Sequence, residues 1–350
     1  MFPHSLLAGI IYPVSGQYEK AIEEGRQAVL LDPDFRHAYS TVMFSLIALN
    51  RLDEARATYE QALQRKLDFP LYSIPLYQIA FLRNDLVGMA HQVAKSVGKP
   101  GIEDEILGME ADTAAYSGRL KEAQEFSRRA MDSAKRDDER EMAATYSAAS
   151  ALREALFGNR SEARRRVTLA MERTPGRDMQ YVSALALANA GEDARAQALA
   201  DDLDKKFPED TIVQFNYLPT LRAKRAVNRG KALDAIEGLK IAAPYELGVS
   251  TANFVGVTLY PAFVRGEAWL AARRGNEAAA EFQKIIDQRS DVLNEPIGVL
   301  AHLGLARAYR LQGDSIKARA AYQQFLTLWK DADPDIPVLI AAKSEYAELQ

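Results

Sequence analysis

Cysteine is absent from the 350 residues, so disulfides, thiolate nucleophiles and cysteine-held metals are excluded. Four histidines remain: His4, His37, His91 and His302. Metal binding through imidazole needs ligands on one face, as in His-Glu-x-x-His. No two of these histidines have such a spacing, and each reads as a helix-surface or packing residue. Acid–base chemistry would need carboxylates held in contrasting surroundings. The runs Glu23-Glu24, Glu103-Asp104-Glu105 and Asp201-Asp202 read as solvated helix faces instead. Asp331, Asp333 and Asp335 alternate like the opening of a calcium loop, which also needs Gly at its sixth position and Glu at its twelfth. Ile336 and Ala342 stand there, with Pro334 and Pro337 between, so a linker between two terminal helices is expected. Gly230-Lys231 is followed by Ala232 and lacks the upstream glycine of a phosphate loop. Asn159-Arg160-Ser161 matches a glycosylation acceptor only at the level of chance. No catalytic, cofactor or metal site is expected, and the chain reads as a non-enzyme.

Composition agrees. The chain is 48% hydrophobic and 26% charged, with 44 basic and 48 acidic residues and a net charge of −4. That is globular, not disordered, composition. No block of like charge suggests nucleic acid or an anionic membrane as partner. The apolar run from Ser5 to Val14 has no Lys or Arg before it and contains Pro13. It is too short to span a bilayer and lacks the basic flank of a signal peptide. The expected setting is the cytoplasm, without membrane insertion; an extracytoplasmic setting would require a segment upstream of Met1.

The elements that would position any site come from an internal repeat. Gly16-Gln17-Tyr18-Glu19-Lys20-Ala21 is echoed by Asn50-Arg51-Leu52-Asp53-Glu54-Ala55, by a degenerate copy at Asn84-Asp85, and by Gly118-Arg119-Leu120-Lys121-Glu122-Ala123. The small residue recurs every 34 residues, through Ala21, Ala55, Met89 and Ala123. Further copies open at Gly158, Gly191, Gly230, Gly275 and Gly313, with uneven steps that stretch at 123 to 163 and 196 to 235. Each unit reads as two antiparallel helices. Gly or Asn ends the first, where a left-handed residue is cheapest. The small residue five positions on lets the helices approach. A large residue four later, such as Tyr59 or Tyr322, fills the groove to the next copy, and Pro stops the second helix where it occurs, as at Pro33, Pro175 and Pro208. A lone pair cannot bury its apolar stripe, so copies must stack.

This pattern resembles the tetratricopeptide repeat family over nearly the whole chain. The resemblance implies an all-α solenoid, a right-handed superhelix of antiparallel helix pairs. Copies are expected at about 2–35, 36–69, 70–102, 103–137, 142–176, 177–209, 214–243, 261–290 and 297–331, with a capping helix at 336–349 and a long loop at 244–260. Phrases such as Gly98-Lys99-Pro100-Gly101, Arg265-Gly266-Glu267-Ala268 and Leu328-Trp329-Lys330-Asp331 are similar to the C-terminal repeat halves of bacterial serine/threonine protein kinases and winged-helix regulators. No Gly-rich loop, His-Arg-Asp or Asp-Phe-Gly is present, so the resemblance implies a signalling scaffold or a detached regulatory arm.

The resemblance places a partner protein or peptide on the concave face. Counting from the repeat frame points Arg265, Trp269, Arg307 and Arg310 inward. Tyr245, Phe254 and Tyr260, in a stretch without helical period, are expected to line a second part of the groove. Leu6, Ile10, Ser40 and Phe44 occupy the places where relatives that bind chaperone tails clamp a carboxylate, so a chaperone-tail receptor is not expected. Phe282 and Trp329 read as structural. An enzyme on this scaffold would announce itself by a pair of buried carboxylates in a deep pocket.

Overall fold

Every first helix ends in the same turn. In the computed structural model, which describes residues 2–171, 176–248 and 258–349, left-handed residues occur at Gly16, Asn50, Asn84, Gly118, Gly158, Gly191, Gly230, Arg273 and Gly313. At each, the amide of the next residue reaches back to the last helical turn: Arg51 to Leu46 (2.8 Å), Arg119 to Ala114 (2.9 Å), Asp314 to Tyr309 (3.1 Å). This closure satisfies carbonyls that the helix end would otherwise orphan. Five residues on, a buried side chain follows: Ala21, Ala55, Met89, Ala123, Ala163, Ala196, Ala235, Ala278 or Ala318. Pro175 and Phe254 lie outside the described residues.

The eighth copy corrects the expected register. Its left-handed residue is Arg273 (φ 58°), not Gly275, and Ala278, not Ala280, is its fully buried small residue. Gly275 is the first residue of the next helix, and a Cβ there would lie 2.9 Å from the Ala308 carbonyl and 2.8 Å from Gln312.

Between these turns lie the helices. α1 (Phe2–Leu6) and α2 (Tyr12–Val14), joined by a π turn at Leu7–Ile11, precede α3 (Tyr18–Leu31). Pairs follow: α4 (Arg36–Ala48) with α5 (Leu52–Gln64), α6 (Ser73–Leu82) with α7 (Leu86–Ser96), and α8 (Glu103–Tyr116) with α9 (Leu120–Arg136). Next come α10 (Arg140–Leu156) with α11 (Arg160–Ala170), α12 (Arg177–Asn189) with α13 (Asp193–Lys206), and α14 (Leu218–Asn228) with α15 (Ala232–Gly238). α16 (Tyr260–Ala271) pairs with α17 (Gly275–Asp287); after a one-turn α18 (Arg289–Val292), α19 (Pro296–Gln312) pairs with α20 (Ser315–Leu328). α21 (Pro337–Ala347) follows. The stretch read as an irregular loop from Pro244 begins inside a 3-10 helix, Lys240–Tyr245.

The two helices of a pair differ in kind. First helices are buried on most sides, as the residue lists of α6, α12 and α19 show. Second helices bury one stripe: in α9 it is Leu120, Ala123, Ser127, Ala130, Ser133 and Ala134. An all-round apolar helix belongs inside, an amphipathic one outside. The first helices therefore make an inner layer, packed α4 on α6, α10 on α12, α14 on α16 and α16 on α19, with the second helices around it.

The stack also meets itself. α19 packs on α8 and α18 on α4. Ser290 donates to the Ala48 carbonyl (2.9 Å), and the Asn294 amide to the Met109 carbonyl (2.8 Å). Trp329 Nε1 donates to the Tyr116 carbonyl (3.0 Å), Asp333 N to the Gly118 carbonyl (3.0 Å) and Val338 N to the Phe157 carbonyl (3.2 Å). Part of the inner face is thus covered by the chain's own C-terminal third.

Candidate interaction surfaces

The C-terminal first helices carry the residues singled out by the repeat frame, and ion pairs engage most of them. Arg265 on α16 is part-buried and bonds Glu281 of α17 (2.6 and 2.7 Å) and Glu246 (2.9 Å). Lys224 of α14 holds Glu267 of α16 (2.8 Å). Arg307 of α19 makes a forked pair with Glu345 of α21 (2.8 and 2.9 Å), the geometry that suits guanidinium and carboxylate. Glu345 also accepts from Tyr322 (2.7 Å), and Arg307 holds its carboxyl below the usual range against the cost of burial. Lys224, Glu267, Arg307 and Glu345 therefore alternate in sign from one copy to the next. Arg310 pairs with Glu348 and stays exposed. Trp269 is part-exposed, with the Arg274 guanidinium 5.2 Å from its ring centre.

The aromatic trio separates. Tyr260 is 1% exposed, its hydroxyl donating to Glu295 (3.1 Å); it is a core residue and does not line a surface groove. Tyr245 is part-exposed and stacks on Phe215 (centroids 5.1 Å apart, planes at 21°). The acid runs also divide. Glu23 and Asp201 face water, but Asp104 is fully buried and accepts from Tyr146 (2.9 Å), and burial pushes the Glu105 carboxyl up to about 8. Consecutive residues on a helix point about 100° apart, so a three-acid run cannot all face solvent. Asp104 stands three and seven residues before Leu107 and Ala111, on the buried face of α8; that periodicity was the available signal.

A second surface was not anticipated. Between the outer helices α9 and α11, above α10, lies a groove of about 830 Å³. It exists because the step from Gly118 to Gly158 is longer than the preceding 34-residue steps, α9 and α10 each running to 17 residues. Its walls carry Lys121, Arg128, Lys135, Arg140, Arg165 and Arg166 against the single acid Glu125, with Met131 and Leu169 contributing apolar surface. Neighbours pair with most of these cations: Arg128 bonds Glu125 and Asp132, Arg165 and Arg166 share Glu162, Arg140 bonds Asp138, and Lys121 lies 3.5 Å from Asp335. Lys135 is exposed and has no ion-pair partner among the described residues. No helix among the described residues is long and apolar enough to cross a membrane.

Comparison with known proteins gives one family match: residues 45–69 fit the tetratricopeptide repeat model. These residues hold the end of α4, the Asn50 turn and α5. Among solved structures, yeast Tom70 is similar at 12% identity, covering 99% of this chain and 88% of that one, with a TM-score of 0.43. The TPR domain of P58(IPK) is similar at 14% identity, covering 99% and 97%, with a TM-score of 0.28. In the Naa15/Naa10 complex bound to HypK-THB the match is 16% identical and covers 98% of this chain and 54% of that chain, with a TM-score of 0.29. With nine like turns among the described residues, paired helices in two layers and a copy that fits the repeat model, the fold is an all-α solenoid of tetratricopeptide-repeat type.

Proposed function

We propose that the chain is a protein-interaction scaffold that holds an acidic segment of its partner in the groove between α9 and α11. The observation that carries this reading is the wall composition: six cations and one anion on a chain whose net charge is −4. A volume of about 830 Å³ falls within the ~300–1,000 Å³ of concave binding sites. Arg forks and apolar floor residues together suit a carboxylate-bearing peptide with an apolar side chain. The test is anisotropy of a labelled peptide of alternating Glu and Leu. Arg140→Glu combined with Arg165→Glu should weaken binding at least tenfold, as loss and reversal of charge-assisted bonds of ~1.5–3 kcal/mol each implies. Unchanged binding by that folded double variant sinks the reading.

A second surface is favoured by a separate observation: on the C-terminal first helices Trp269 is part-exposed, and Arg310 remains exposed although it pairs with Glu348. Trp and Arg are enriched at the energetic centres of interfaces. On this reading a partner lies along Trp269, Arg307 and Arg310. A photo-crosslinking amino acid at Arg310 should then trap a partner that Trp269→Ala fails to capture. The similarity of local phrases to the repeat halves of bacterial kinases supports a signalling setting, as scaffold or as regulatory arm.

A further inference from the structure

A second cavity, of about 280 Å³, lies inside the solenoid where the segment Ser290–Glu295 crosses α4, α6 and α8. Its walls are mostly apolar and include Pro13, Phe44, Ile47, Leu71, Ile74 and Met109. His37, Thr41 and Gln78, which keep contact with solvent, mark its mouth. Three carboxylates stand in this lining: Asp112, Asp291 and Glu295. Asp112 is paired with Arg153, and Glu295 accepts from Tyr260 (3.1 Å). Asp291 is 8% exposed; its Oδ1 accepts from Tyr18 (2.9 Å), and its Oδ2 is buried with no hydrogen-bond partner among the described residues.

A buried acceptor without a donor is costly. The segment does not turn away to relieve it. Ser290 and Asn294 tie it to Ala48, Met109 and Thr113. Leu293 is held between them at φ 55°, a backbone conformation that a bulky side chain adopts only when its surroundings impose it.

We infer that this cavity binds an alkylammonium group, the unpartnered Asp291 oxygen accepting from its N–H and the apolar walls enclosing its carbon chain. Ammonium carries three donors and no acceptor, and its charge offsets those of Asp291 and Glu295, whose hydrogen-bond donors are the Tyr18 and Tyr260 hydroxyls. No three His, Asp or Glu side chains gather to hold a metal ion among the described residues. Burial pushes the Asp291 carboxyl up to about 7, the direction that a bound cation reverses. Facing it are the Tyr18 hydroxyl from α3, His37 at the mouth, and the Asp112–Arg153 and Glu295–Tyr260 pairs. The cavity's size, just below the ~300–1,000 Å³ range of small-molecule sites, suits a short chain. That chain is supplied by a free amine or by a lysine side chain. The inference does not depend on which outer surface holds a protein partner.

The test is calorimetric titration of the full chain with n-pentylamine, with n-pentanol as the neutral match and with an acetylated, amidated Ala-Ala-Lys-Ala-Ala peptide. Saturable binding is expected for pentylammonium at millimolar concentration, with pentanol at least about tenfold weaker, the worth of one charge-assisted bond. Asp291→Asn should lose a similar factor. Ala48→Met, which narrows the cavity while leaving every carboxylate in place, should abolish binding while circular dichroism shows the fold retained. Tighter binding of the peptide than of pentylamine assigns the site to a lysine side chain; the reverse assigns it to a free amine. No saturable heat with either, equal affinity for pentanol, or undiminished binding by folded Asp291→Asn overturns the inference.

Discussion

Glu105 lies on α8 beside Asp104 and near Glu139, and burial followed by these like charges pushes its carboxyl up to about 8. In the unfolded chain it returns to the ordinary value near 4.3. The folded state therefore binds the proton more tightly. The stabilising contribution is complete below the unfolded value and is lost as pH rises through about 8. Asp291, at about 7, acts in the same direction. The urea midpoint of the parent should fall between pH 5 and pH 8. Glu105→Gln, which keeps the shape and removes the charge, should flatten that fall, match the parent near pH 5 and exceed it near pH 8. Parallel curves for parent and variant would return Glu105 to solvent. An adjacent run of acids looks like a solvated face when only composition is weighed. What the composition hides is the angular separation of neighbours on a helix, which turns Asp104 inward to Tyr146.

At the scale of the helix pair, the eighth copy tests how the turn works. Arg273 takes the left-handed position that glycine fills in most other copies, while Gly275 sits where α17 crosses the Ala308 carbonyl. Left-handed backbone costs an ordinary L-residue roughly 1–2 kcal/mol, so Arg273→Gly should leave stability unchanged or raise it by up to about 1 kcal/mol. Gly275→Ala places a Cβ 2.9 Å from that carbonyl and should cost about 1–3 kcal/mol. Denaturant midpoints of the two variants read the register directly, and the reverse order would restore the turn to Gly275. The sequence pattern of a glycine followed by a small residue misled here because one residue type serves two purposes, a positive φ and a close approach. The same pair shows the second purpose again: Phe282 of α17 is held between Gly266 of α16 and Gly304 of α19, where a Cβ would meet its ring at 2.8 Å and 2.5 Å. No local pattern distinguishes such glycines from turn glycines, since the ring they admit comes from another helix.

Over the whole molecule the helix-pair solenoid was legible, because each turn and each buried small residue is set within one unit of the chain. How the stack meets itself was not, because that depends on small rotations accumulated over many copies. The indole of Trp329 belongs to the end of α20 but packs edge-on against Phe157 (centroids 5.0 Å apart) and donates to the carbonyl of Tyr116. Gly118 leaves room for it: a Cβ there would lie 2.9 Å from the ring. Asp333 continues the seam, its carboxylate accepting from the first-turn amide of Lys121 (2.8 Å) and so capping α9 from more than 200 residues away. Here the alternating aspartates that resemble a calcium loop have a use: they link two terminal helices and cap a third. Removing a buried Trp typically costs about 3–5 kcal/mol, and Trp329→Ala should lower the unfolding midpoint accordingly. The informative readout is where protection is lost. If the solenoid closes on itself, amide hydrogen exchange in Trp329→Ala accelerates around 114–120 and 155–160, in the turns of the fourth and fifth copies, as well as in α20 and α21. Were the array open, the acceleration would stop at α19 and those distant turns would exchange as in the parent.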